Sequence, residues 1–248
     1  MFQATDKAAS KVLHITPEWA VAFAGNANSF KTLLLKLRDV AKSEGDNLSA
    51  GTMKKISSQT YSEVLLEQFT ALNLYQLGYR TVEDFRKIGR TELGDEIFKE
   101  YVAKLEKFDP GLDIVVFGYD KKLTPHIFQV CNPGRVQDEN VIGYSVIGSG
   151  YWMAMSLLKQ RKSTIDDLET VIYRSLEAKF SSETAAGVGR TTVVSIMDHN
   201  GKFAHLGAGD INKIRNTWEK TRDDPIPDEA RNSIAHSSAF KQMHLGES

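Results

Sequence analysis

Residues 113–150 read DIVVFGYDKKLTPHIFQVCNPGRVQDENVIGYSVIGSG, and this stretch decides the fold. DIVVFGYD (113–120) and PHIFQVCN (125–132) are short β-branched and aromatic runs separated by Lys121-Lys122. Asn132-Pro133-Gly134 then divides the second run from NVIGYSVIGSG (140–150). Turns this short join antiparallel neighbours, because a parallel connection needs a crossover of about a dozen residues or more. The spacing therefore predicts three consecutive antiparallel strands, the third over 141–147.

Working outward, VLHITPEWAVAFAG (12–25) holds two apolar runs around a proline turn, which predicts strands at 12–15 and 19–24. Gly25 and Asn26 break the second strand, and Asn28 or Ser29 is placed to cap a helix over 29–42 whose apolar positions recur at helical spacing. Residues 43–60 are polar and contain Gly and Ser, and read as a loop. Residues 61–107 read as helical, punctuated by Gly78, Gly89 and Gly94, and Asp109-Pro110-Gly111 ends the block. After Gly150, a helix is predicted over 151–160. A second helix over 164–181 has Ser163 or Thr164 as its cap. TTVVSIM (191–197) and KFAHL (202–206) flank His199-Asn200-Gly201, a strong hairpin signal. A last helix over roughly 210–220 leads into a polar tail with Pro225 and Pro227. Alternating blocks of hairpin-linked strands and amphipathic helices give an α+β class, with two antiparallel sheets faced by helices.

Composition narrows the function classes. Lys plus Arg (31) nearly cancels Asp plus Glu (32) over 248 residues, which leaves no basic footprint for nucleic acid. No apolar run reaches the roughly 18–20 residues that cross a bilayer, and MFQATDKAASK is not a secretion signal. A single cysteine fits a reducing compartment, so the expectation is a cytoplasmic protein. There is no phosphate loop, dinucleotide fingerprint or zinc pattern. The six histidines are scattered, and neither a cofactor nor a metal is expected. Cys131 reads as a packed small side chain. Gly148-Ser149-Gly150 either lets the backbone approach another group closely or is simply a tight strand-to-helix turn. Asp6 and Lys11, taken alone, are ordinary charges near a chain end.

In order, the run ATDKAASKVLHI…AVAFAG, the strands reaching GYSVIGSG, the helix STIDDLETVIYRSLEAKF and the hairpin TTVVSIMDHNGKF resemble the proteasome-type N-terminal nucleophile hydrolases. The resemblance covers roughly residues 2–40 and 112–206. It implies a four-layer αββα sandwich, N-terminally shortened. The chain would then be one domain over 1–221, with a helical insertion at about 43–108 and a polar tail over 222–248. It also implies amide-bond hydrolysis by an N-terminal threonine whose own amine is the base. Asp6 matches the family's acidic residue, and Lys11 matches the lysine whose charge eases alkoxide and oxyanion formation. Ser149 matches the serine near the terminal amine, and Gly25 the glycine beside the oxyanion donor and substrate groove.

The chain departs from that pattern at the nucleophile. The strand that should carry threonine lies upstream of Asp6 in the family, whereas this sequence opens Met1-Phe2. Thr184 and Gly187 stand where the family has an aspartate and a serine. The expectation is a proteasome-subunit-like protein, inactive as it stands for want of an N-terminal threonine. Whether it is an enzyme stays open. The alternatives are a non-catalytic structural ring subunit and an unrelated α+β module that binds a small ligand. Expected partners are further subunits of a homo-oligomer or ring, and a peptide substrate if the chain is active. Neither nucleic acid nor membrane is expected.

Overall fold

The computed structural model describes residues 11–45, 48–160 and 167–222. The chain divides into two units, Met1–Leu206 and Gly207–Ser248. The first contains strands β1 (Val12–His14), β2 (Trp19–Gly25), β3 (Leu112–Tyr119), β4 (Pro125–Cys131) and β5 (Arg135–Asp138). These pair antiparallel in the order β1-β2-β3-β4-β5. A separate antiparallel hairpin is formed by β6 (Ser195–Met197) and β7 (Phe203–His205). The helices of this unit are α1 (Ala27–Ser43), α2 (Ala50–Phe69), α3 (Val82–Leu93), α4 (Asp95–Glu106), α5 (Tyr151–Gln160) and α6 (Leu168–Ser182). The second unit contributes α7 (Ala208–Thr221). Mixed helix and antiparallel sheet is the α+β class expected.

The core follows from the two periodicities. On the five-stranded sheet, Trp19, Val21, Ile114, Val116, Phe128 and Val130 share one face by register. Against them pack Phe30, Leu33 and Leu37 of α1 and Met53, Ile56, Tyr61 and Val64 of α2. Asn26 starts α1 by accepting the Asn28 and Ser29 amides on its side-chain oxygen, and Ser49 starts α2 by accepting from Thr52. Burying each large side chain stabilises by roughly 1.5–3 kcal/mol before entropy is counted. A second cluster, with Phe69, Leu74, Tyr79, Val82 and Phe85 at its centre, lets α3 and α4 fold onto the end of α2. Between them, a π turn (Thr70–Leu74) and a 3-10 turn (Tyr75–Leu77) end at Gly78.

Two expectations are corrected here. Residues 43–60 are not a loop, since α2 begins at Ala50. Met53, Ile56, Thr60, Tyr61 and Val64 form a buried stripe at helical spacing that the surrounding polar residues obscure. Nor is there a strand at 141–147. The third strand comes at once after Asn132-Pro133-Gly134, as β5, because α2 grips that turn: Ser58 donates to the Gly134 carbonyl (2.6 Å) and Ser62 to the Pro133 carbonyl (2.6 Å). Ladder pairing ends at Asp138, and Asn140 and the positive-φ Gly143 turn the chain away. The hairpin strands are also shorter than expected, with 191–194 outside β6. Helix α6 starts at Leu168 on an Asp167 cap, later than 164; Ser163 and Thr164 lie outside the described residues.

Candidate functional site

The sequence singles out Asp6, Lys11, Gly25 and Ser149. Asp6 lies outside the described residues. Lys11 immediately precedes β1 and has an exposed side chain; its carbonyl accepts the Phe23 amide (3.1 Å), which sets it across from the end of β2. Gly25 closes β2 at φ 100°. A Cβ there would stand 2.0 Å from the Gly111 carbonyl oxygen, so only glycine fits. The same Gly111 carbonyl accepts the Asn26 amide (2.8 Å), while the Asn28 and Ser29 amides are taken by the Asn26 side chain. These three donors next to Gly25 are therefore occupied.

Ser149 is exposed in the turn that starts α5. Two contacts position this turn. A Cβ on Gly148 would stand 3.2 Å from Cβ of Ala24, the residue before Gly25. One on Gly187 would stand 3.3 Å from the Ser149 hydroxyl, so Ser149 lies against the loop that follows α6. That loop is held by Lys179, whose ammonium bonds Glu183 (2.6 Å) and the Gly189 carbonyl (2.8 Å). Thr184 donates its hydroxyl to the Met153 sulfur (3.0 Å) or the Ser181 carbonyl (3.0 Å). Among the described residues, no histidine or carboxylate hydrogen-bonds Ser149.

Sequence reading missed an acidic neighbour at this end of the sheet. Asp113 pairs with Ala24 and shares its face. Burial, reinforced by Asp109, pushes its carboxyl above the ordinary range. Burial, with Asp113 next in effect, also pushes the Cys131 thiol up. A thiol held protonated in this way is a poor nucleophile, in keeping with Cys131 as a packed side chain bonded to Gln137 (3.4 Å). Only the β2–β3 register brings Asp113 to Ala24, so no local signal could have shown it. Among the described residues, no group of three or more His, Cys, Asp or Glu could hold a metal, and no helix is long and apolar enough to cross a membrane.

The molecule is thus an α+β protein in which a glycine-flanked serine sits between a β2 end and a glycine-containing loop. A comparison with protein families gives a sharper result: residues 91–196 match the family described as proteasome subunit. The match runs from the end of α3 through α4, β3, β4, β5, α5 and α6 into β6, and it supports a proteasome-type family member. It includes Ser149, Thr184 and Gly187, whereas Lys11 and Gly25 fall outside it. A search of curated proteins found no match to the chain.

Proposed function

We propose that this chain is a proteasome-subunit-like scaffold whose own residues do not complete a threonine-peptidase site. The match over 91–196 supports the scaffold, and with it a relation to N-terminal nucleophile hydrolases and proteolysis. The finer reading is a four-layer αββα sandwich over 1–221 with its helical insertion, acting in the cytoplasm as one subunit of a homo-oligomer or ring. The observation that carries the non-catalytic part is the environment of Ser149. Its neighbour across the loop is Gly187, which has no side chain, and Thr184 is turned to Met153 and Ser181. Position 184 therefore offers no carboxylate and position 187 no hydroxyl to relay a proton there. Lys11 and Asp6 would tune a nucleophile supplied to the site, and Gly25 would keep the backbone beside the groove in place.

Hydrolysis of fluorogenic peptides tests this, run on the 248-residue chain and on a form extended upstream to expose a threonine. The expected result is no turnover by the first. Inhibitor-sensitive turnover by the first form, lost in Ser149→Ala, would overturn the proposal and assign serine chemistry. Light scattering on the same preparations tests association: a strict monomer in both forms would count against the ring role.

A further inference from the structure

The far end of the five-stranded sheet, away from Gly25 and Ser149, carries a hydrogen-bond chain that the proposed function does not use. His126, the second residue of β4, is partly buried, and its ring stacks on Trp19 (centroids 6.1 Å apart). Nε2 faces an Asp120 carboxylate oxygen at 3.2 Å, and Nδ1 faces the Asn140 amide nitrogen at 3.2 Å. The amide nitrogen only donates, so Nδ1 must accept, which places the ring proton on Nε2, toward Asp120. The Asn140 oxygen is used as well, accepting the Ile127 amide at 2.8 Å. Asn140 therefore reads two groups at once, and both readings hold only while the imidazole is neutral.

Both loops at this end depend on the chain. Asp120 orders the β3–β4 turn by accepting the Lys122 amide (2.8 Å) and the Thr124 amide (3.0 Å). These bonds, with His126, hold its carboxyl below the ordinary range, so it stays ionised. Asn140 anchors the start of the segment that runs from the end of β5 to the Gly148-Ser149-Gly150 turn. Within that segment Val141 is 99% exposed. Asp138 of β5 also feels the ring: its carboxyl is held low by Lys54 of α2 first, with which it is paired, and by His126 last. Glu139, the next residue, has its carboxyl pushed up by burial.

We propose that Asp120, His126 and Asn140 form a pH-sensitive latch on the segment from Asn140 to Ser149. A second proton on His126 makes both ring nitrogens donors. Nδ1–H then opposes the Asn140 amide group. Asn140 can answer by turning its oxygen to the ring, but that turns its NH2 toward the Ile127 amide, and one donor is left without an acceptor. Asp120 engages Nε2, not Nδ1, so it does not restore the Ile127 bond. Acid therefore releases Asn140 from β4 and loosens the start of the segment that ends at Ser149, independently of any peptidase activity.

The test is amide exchange of Ile127 and of residues 139–147 by NMR, expressed as protection relative to unstructured peptide, from about pH 8 to about pH 5, where histidine ordinarily titrates. Protection of Ile127 should fall about five- to tenfold in acid, the worth of one such bond. In His126→Gln the fall should vanish. Asn140→Asp should reverse it, since a carboxylate accepts from Ile127 and from the imidazolium together. Ring nitrogen shifts of the unsubstituted protein should report the Nε2–H form at high pH, which needs no variant to fold. Unchanged Ile127 protection across the range, an undiminished fall in His126→Gln, or an Nδ1–H ring would each overturn the proposal.

Discussion

Gly25→Ala is the sharpest test of how β2 ends. The added methyl would stand 2.0 Å from the Gly111 carbonyl oxygen and 3.0 Å from its carbon, so backbone has to move. An L-residue at this positive φ costs roughly 1–2 kcal/mol. Displacing Gly111 also breaks the Asn26–Gly111 hydrogen bond at the start of α1, worth about 1 kcal/mol. With residual crowding, the loss should reach about 3 kcal/mol or more, which is a urea midpoint lowered by about 1 M or more at an ordinary m-value. Gly45→Ala is the control. Gly45 has φ 86° and nothing within 4 Å of an added Cβ, so that change carries the conformational cost alone. Urea unfolding followed by circular dichroism compares them. Equal losses in the two variants would refute the claim that close backbone approach, rather than φ alone, reserves position 25 for glycine.

Three further outcomes are expected. Asp113 binds its proton more tightly folded than unfolded, so its contribution to stability is present in acid and is lost as pH rises through its raised titration range. Asp113→Asn should therefore stabilise the protein at neutral pH, flatten that part of the stability–pH curve, and show no gain in acid, by urea unfolding at several pH values. Lys179→Met removes the bonds to Glu183, whose carboxylate is nearly buried and keeps Arg190 at 3.9 Å, and to the Gly189 carbonyl. Losing them should cost about 1–3 kcal/mol and speed amide exchange across 183–190. Trp19→Ala empties a site that is 0% exposed in the core beside Phe128. It should cost about 3–5 kcal/mol in thermal or urea unfolding, and a smaller cost would mean the core collapses into the space.

Much of this protein was legible because its signals are local. Strands β1 to β4, helices α1, α5 and α7 and the β6–β7 hairpin follow from apolar periodicity and from turn residues such as Asp109-Pro110-Gly111 and Asn200-Gly201. Backbone sterics act on these within a few residues. The order of short motifs was enough to reach the proteasome-type resemblance, even though GYSVIGSG does not form the strand expected of it. What needed the tertiary structure were choices between partners distant in sequence. Ser58 looks like a loop residue until the Gly134 carbonyl, over 70 positions away, accepts its hydroxyl, as the Pro133 carbonyl accepts that of Ser62. Once they do, α2 forms early and β5 replaces the strand expected at 141–147. Asp113 beside Ala24, Ser149 against Gly187, and the Asp120–His126–Asn140 chain depend likewise on strand register and loop closure. A hydrogen bond or a close backbone contact is decided by a few tenths of an ångström. Only the assembled fold sets distances on that scale.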